Sequence, residues 1–240
     1  MTSANVDPVT WDERVAARSP SVERARLRTV RQARMMLDAA KRLMGQKGDD
    51  FTIQELAKEA GVALQTFYNY FTSKDELLLA MIGDLLTESC ARWAAAARDM
   101  PDPLARLHFY ITSTFDTLDG GGQDVTAAAF IATTHWRLHR VFPKELAAAQ
   151  LPFVELLRGE IRASIDAGLL PPIDPYWDGW FLNELIRSVY HHYAYTAERT
   201  PEVREELWRF CLRAIGGTVD VRGTPTDRPE DVSPQSGGQP

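Results

Sequence analysis

The sequence predicts an all-α protein. Apolar residues recur at steps of three and four along most of the chain, and residues suited to helix starts and stops punctuate those stretches. No segment alternates convincingly with the period of two that a half-buried strand needs. The 240 residues are 45 % hydrophobic and 25 % charged, values ordinary for a globular chain of one large or two small domains. No apolar run is long enough for a membrane span, and the first residues lack the apolar core of a secretory signal, so the cytoplasm is expected. Cys90 and Cys211, the two cysteines, stand far apart and define neither a disulfide framework nor a zinc-type pairing.

In chain order, residues 1–20 carry no periodicity and are expected to be a disordered tail. Val30, Ala33, Leu37, Ala40 and Met44 form the stripe of a first helix, which Gly48 ends. Thr52-Ile-Gln-Glu55 fits a capping box opening a second helix, with Ile53, Leu56, Ala57 and Ala60 on its apolar face. Gly61 suits a turn needing positive φ, and Leu64–Tyr70 reads as a short third helix. Ser73-Lys-Asp-Glu76 reads as a second capping box, opening a helix to about Ala97. After Pro101 and Pro103, helices are expected over about Leu104–Leu118, Val125–Arg140 and Lys144–Ala167. Gly120–Gly122 is a flexible loop in this reading, and Pro152 kinks or restarts the third of these helices. Two more helices, about Pro175–Glu198 and Pro201–Ile215, give about nine in all, and residues 216–240 read as a second tail.

The net charge of −6 conceals an uneven distribution. Residues 24–74 hold ten Lys/Arg against five Asp/Glu, a net of +5, which leaves −11 for the remainder. A basic head (residues 21–74) on an acidic helical body (residues 75–215) is the domain organisation this implies. Three helices with a Gly-containing turn before the third describe a helix-turn-helix unit. Its third helix offers Gln65 and Asn69, which can pair bidentately with adenine, and Thr66, which can contact a thymine methyl. Phe67 and Phe71, four apart, can lock that helix into the bundle. Arg24, Arg26, Arg28, Arg31 and Arg34 form a basic stretch that is either a DNA-contacting arm or a solvated helix face, with Arg28 as the expected phosphate contact.

Thr52-Ile53, Leu56-Ala57, Ala60-Gly61-Val62, Thr66-Phe67-Tyr68, Tyr70-Phe71, Lys74 and Leu77-Leu78, spaced without a gap, resemble the TetR family of bacterial transcriptional regulators. The resemblance covers about residues 28–80. It implies that Gln65, Thr66, Tyr68 and Asn69 face the groove and that Thr52, Tyr70 and Lys74 hold phosphates, Lys74 aided by the amides opening the fourth helix. At position 63, where the family usually has Ser or Thr to cap the recognition helix, this chain has Ala63.

In the acidic body, Trp93, Phe109, Tyr110, Phe115, Phe130, Trp136, Phe142, Phe153 and Trp180 are candidates to line an effector pocket. For any one of them core filling is the better reading; together they point to a wide, mainly apolar cavity. Arg106, Thr112, Thr134 and Asn183 could add polar specificity. His135 and His139 are one helical turn apart, but no carboxylate or thiol stands at a supporting position, so no metal site is assigned. His191 and His192 read as interface or surface residues. Phe181, Leu182, Leu185, Ile186, Val189 and Tyr193 form one stripe, and Val203, Leu207, Phe210, Cys211, Ala214 and Ile215 another. One chain could bury part of each; the family resemblance favours a twofold four-helix dimer interface, with Cys90 and Cys211 as buried, inert thiols. No catalytic triad, phosphate loop, paired carboxylates or cofactor motif stands out. The expected function is a ligand-responsive regulator, a repressor, that binds double-stranded palindromic DNA as a homodimer and is released by a small hydrophobic effector. The alternatives are a helix-turn-helix interaction protein without DNA binding and an all-helical enzyme.

Overall fold

The computed structural model describes Trp11 and residues 19–119, 123–196 and 202–218. The expected tails and the Gly120–Gly122 loop therefore lie essentially outside the described residues. Every assigned element is helical: α1 (Pro20–Lys47), α2 (Ile53–Ala60), α3 (Leu64–Tyr68), α4 (Lys74–Ala96), α5 (Pro103–Ser113), α6 (Asp116–Asp119), α7 (Gln123–Val141), α8 (Pro143–Asp166), α9 (Pro175–Tyr195) and α10 (Val203–Ala214). The chain divides into two compact units, residues 1–81 and 82–240. The division falls inside α4 rather than at its start, so Leu77, Leu78 and Met81, all fully buried, belong to the head.

In the head, α1 opens with Pro20 in its first turn, a position where a missing N–H is harmless. Its buried ridge is Met36, Ala39, Ala40, Leu43 and Met44. The expected stripe is buried only at Ala40 and Met44: Leu37 is half-buried, and Val30, in the N-terminal half of α1, is 54 % exposed. The basic stretch lies within α1, and Pro20 belongs to the helix, not to the tail. Gly48 ends α1 at φ 60°, its N–H bonded to the Met44 carbonyl. At α2 the capping box is complete: the Thr52 hydroxyl accepts from the Glu55 N–H, and the Glu55 carboxylate accepts from the Thr52 N–H. Arg42–Glu59 (2.7 Å) and Lys47–Glu55 (2.5 Å) tie α1 to α2.

Gly61 takes the left-handed conformation (φ 66°, ψ 32°) and turns the chain toward α3. Helix α3 is shorter than expected, ending at Tyr68, where the Asn69 N–H reaches back to the Gln65 and Thr66 carbonyls. The second capping box is present only by half. The Ser73 hydroxyl accepts from the Glu76 N–H (3.1 Å), but the Glu76 carboxylate reaches one residue further back, to the Thr72 N–H (2.6 Å) and hydroxyl (2.8 Å).

In the second unit the expected Leu104–Leu118 helix breaks at Thr114 into α5 and the one-turn α6. Pro152 does not restart α8, which runs unbroken from Pro143 to Asp166. The proline removes one N–H, while Leu146, Phe153, Val154, Leu157 and Ile161 bury the helix on both sides of it. Asp102 and Asp174 cap α5 and α9 through the N–H groups of Leu104 and Tyr176. α9 packs closely on α8 at Gly179, where an added Cβ would meet the Arg158 Cγ at 2.6 Å. The Arg158 guanidinium bonds the Tyr176 carbonyl across the same seam (3.0 Å).

Replacing Gly61 by Ala is expected to cost roughly 1–2 kcal/mol through backbone conformation alone, since open space surrounds the site. Urea denaturation followed by circular dichroism measures it; an unchanged midpoint contradicts the role of the turn.

Candidate nucleic-acid interface and effector cavities

Helix α3 turns Phe67 fully inward, its ring 5.6 Å from that of Phe71. Gln65, Tyr68 and Asn69 share the opposite face, spaced at i, i+3 and i+4. All three are exposed, Tyr68 by 47 %. Thr66 is half-buried beside them. The amide of Gln65 donates to Asn69 Oδ1 at 3.4 Å, which aligns two amide groups along one edge of the helix.

The four remaining residues of the expected interface are bound to their surroundings to different degrees. Arg28 is exposed on α1. The Thr52 hydroxyl is exposed but bonded to Glu55 in both directions, and Lys47 with Thr52 pulls the Glu55 carboxyl down to about 2. The Tyr70 hydroxyl donates to Gln32 Oε1 (2.8 Å), fixing the end of the recognition segment against α1. The Lys74 ammonium pairs with the Asp49 carboxylate (2.8 Å), bonds the Asp49 carbonyl and lies over the Phe51 ring at 4.3 Å. Gln32 and Asp49 are not among the residues expected from sequence, and their spacing from Tyr70 and Lys74 carries no local signal.

Among the described residues of the second unit, most of the expected pocket aromatics pack into or against the core. Tyr110, Phe115, Phe130 and Phe153 are buried; Trp93 and Phe109 are half-buried and pack on the core. Trp93 meets Phe153 at 5.7 Å, and Phe115 meets Tyr190 at 6.2 Å. Phe142 is half-buried at the start of α8. Arg106 pairs with Glu160 (2.8 Å), and the Thr112 hydroxyl bonds its own helix. Trp136, Trp180 and Asn183 do reach open space. It takes the form of two cavities of about 390 and 480 Å³ that share His139 and Arg187. The smaller adds His135, Trp136 and His191; the larger adds Gln150, Trp180 and Asn183. Thr134, beside them on α7, has a buried hydroxyl without a hydrogen-bond partner among the described residues.

Gln150 organises the floor. Its Oε1 accepts from Asn183 Nδ2 and Arg187 Nη1, both at 3.2 Å, and this fixes the amide orientation. Gln150 Nε2 then donates to His135 Nε2 at 2.6 Å. His135 must accept at that nitrogen, so it is a neutral imidazole protonated at Nδ1. Burial, and then the charge of Arg187, hold its pKa down at about 3 and that of His191 at about 4. The rings of His135 and His191 lie 5.0 Å apart. No group of three or more His, Cys, Asp or Glu among the described residues is arranged to hold a metal ion.

The two stripes expected at a dimer interface divide by exposure. Leu207 and Cys211 are buried within the chain; Leu185, Val189 and Tyr193 are partly buried against the same core. Phe181, Phe210 and Ala214 are exposed, and Trp177 lies 6.2 Å from Phe181. Burial raises the Cys90 thiol to about 11 and the Cys211 thiol to about 12, so neither is poised to react.

Residues 36–81 match the bacterial regulatory proteins of the tetR family. The HTH-type transcriptional regulator BetI of Brucella canis is 31 % identical over 153 residues, 60 % of this chain and 75 % of that protein. The chain belongs to the tetR family. Solved structures agree on the fold. FadR from Bacillus subtilis, in complex with stearoyl-CoA, superposes with a TM-score of 0.62 over 75 % of this chain and 98 % of its own, at 16 % identity. RolR, in complex with resorcinol, gives 0.59 over 79 % and 90 %, at 15 % identity. This tetR-family chain is thus an all-α transcriptional regulator with a helix-turn-helix DNA-binding head. No described helix is long and apolar enough to cross a membrane. As a tetR-family recognition helix, α3 starts without a side-chain cap, because Ala63 has no oxygen to offer.

The buried His135 gives the second unit a pH dependence of definite sign. The unfolded chain takes up a proton near 6.5, while the folded state refuses it down to about 3, so stability falls as pH drops through the unfolded value. Between about pH 7.5 and about pH 5.5 the loss is about 1 kcal/mol, roughly 2–4 °C in Tm. His135→Gln is expected to remove that increment in a pH series of thermal melts; identical slopes for the two proteins would contradict it.

Proposed function

We propose that this regulator is a ligand-responsive repressor that binds a palindromic operator as a homodimer and leaves it when a small effector occupies the second unit. The observation that carries the DNA-reading half is the exposed row Gln65, Tyr68 and Asn69 opposite the buried Phe67. With Thr66 they form the base-reading edge, since amides and hydroxyls supply the donor and acceptor pairs that the major groove distinguishes. Arg28, Thr52, Tyr70 and Lys74 serve the phosphates. Lys74 does so by sharing its ammonium between Asp49 and the backbone of the DNA. Two heads in twofold symmetry read half-sites about one helical turn, ~34–36 Å, apart. Work on DNA fits a cytoplasmic location.

Phe181, Phe210 and Ala214, with Trp177, supply the apolar surface for the second copy. The effector acts by binding the DNA-incompetent arrangement better, and a coupling of about 1–3 kcal/mol suffices. The cavities that share Arg187 and His139 are its site, with Trp136, Trp180 and Asn183 among the lining residues. The core aromatics Trp93, Phe109, Tyr110, Phe115, Phe130 and Phe153 shape that unit from behind.

Fluorescence anisotropy on a labelled promoter fragment tests the DNA-reading half. Binding should be sequence-specific and salt-sensitive, and Gln65→Ala should lose about 1–3 kcal/mol, roughly 5- to 150-fold. Tyr68→Ala is expected to fall in the same range with its melting temperature unchanged. Equal affinity for specific and scrambled fragments would sink the reading. Phe181→Asp is expected to shift light scattering from dimer to monomer and to weaken operator binding at least about tenfold, because the two heads no longer bind as a unit. A dimer that survives the substitution would mean that the interface lies elsewhere.

A further inference from the structure

The two cavities of the second unit are amphipathic in a particular way. One wall of the larger is apolar, built by Leu146, Ala147, Leu151 and Val154 of α8 and Trp180 of α9. The polar end gathers donors. Arg187 lines both cavities and has two of its N–H groups committed, one to Gln150 and one to the Glu184 carboxylate. A guanidinium carries five N–H donors, so three remain for a ligand. His139 also lines both cavities, and Ser188 and His191 stand with Arg187 in the smaller one.

Acceptors are scarce there. Glu184 is the one acidic residue among the cavity linings, against Arg158 and Arg187, and Arg158 is taken by Glu155 (2.6 Å) and the Tyr176 carbonyl. Gln150 Oε1 is already shared between Asn183 and Arg187. A purely apolar ligand would bury these donors unmet, and a cationic one would add charge beside Arg187. The depressed histidines His135 and His191 record the second penalty, since part of their shift comes from that same guanidinium. Each volume, about 390 and 480 Å³, lies within the range of ligand pockets, about 300–1,000 Å³.

We propose that these adjoining cavities, which share Arg187 and His139, bind an organic oxyanion with a hydrocarbon body: the anionic head on Arg187 with His139, the body along Leu146, Leu151, Val154 and Trp180. This rests on the reading of the second unit as the effector-sensing part, and it replaces a merely hydrophobic effector by an amphipathic anion.

Three probes of equal chain length and different head charge test it: octanoate, octan-1-ol and octyltrimethylammonium, titrated into the full-length protein by calorimetry. Octanoate is expected to bind at one site per chain, at least about tenfold tighter than octan-1-ol, with the cation weakest. Arg187→Gln should weaken octanoate about tenfold or more and leave octan-1-ol unchanged, the unchanged alcohol showing that the cavity is intact. Ala147→Trp, which fills the apolar wall, should abolish both with an unchanged circular dichroism spectrum. Equal affinity for octanoate and octan-1-ol, tighter binding of the cation, no binding of any probe, or indifference to Arg187→Gln would overturn the proposal. Operator binding by the same preparations separates the two readings. Octanoate bound with the operator still held would sink effector release and support the anion site; operator binding intact with no octanoate bound would sink the anion site and support the DNA-reading half.

Discussion

The reading face of the head depends on the burial of one ring. Helix α3 has five residues, too few to hold a helical conformation by its own hydrogen bonds, because fixing the first turn costs more than one bond returns. Its N-terminus also lacks a side-chain cap. What defines its position is Phe67, with no exposed surface, wedged against Phe71 and meeting the Tyr68 ring edge-on at 5.3 Å. Given that anchor, helical geometry places Gln65, Tyr68 and Asn69 outward without further support. The surrounding devices serve the same end. The Thr52–Glu55 box starts α2, Gly61 sets the turn, and the Tyr70–Gln32 bond fixes the far end of the segment against α1.

Features of the head that are local in sequence are legible from the residues alone. The capping box, the left-handed glycine and the Phe67/Phe71 pair each need only residues within four or five positions of one another. The expectations that fail share a different cause. Periodicity says which residues lie on one face of a helix, but not whether another element covers that face. Val30 continues the stripe of α1 and still faces solvent. The expected stripe along and just beyond α10 divides: Leu207, Cys211 and Ile215 are buried together with Trp208 and Leu212, while Phe210 and Ala214 are exposed. The choice between them is made by α5, whose His108 ring packs tilted against Trp208 at 5.1 Å and hydrogen-bonds Glu205. The cavities are the least legible part, because Gln150, Asn183 and Arg187 come from two helices and meet only after packing.

That polar floor is also what distinguishes the second unit from a simple helical bundle. An aromatic and aliphatic filling at Gln150, Asn183 and His135 would pack as well and would leave nothing to satisfy. Instead the network is closed through a single amide, and each bond depends on the others: Asn183 and Arg187 fix the orientation of Gln150, and Gln150 fixes the tautomer of His135. Such coupling makes loss of Gln150 expensive, since Asn183, Arg187 and His135 would each lose a partner with it. A fold that carries this arrangement at the mouth of an open cavity holds its donors in place in advance of a ligand, which lowers the ordering cost of binding.

The charge distribution then acquires a physical role. The acidic excess resides outside residues 24–74, so a nucleic acid approaching the whole molecule meets net repulsion and is attracted only at the head. Within the head several cations are already engaged: Arg26 with Glu23, Arg42 with Glu59, Lys47 with Glu55 and Lys74 with Asp49. Exposed, partly screened pairs of this kind add little to stability and subtract from the free charge available to phosphates. Arg28 and Arg31 stand exposed on α1 and keep their charge turned to solvent. Attraction to DNA of arbitrary sequence is therefore modest for a basic domain of this size. In the proposed function discrimination falls instead to the short-range contacts of α3, which is the arrangement a sequence-specific regulator requires.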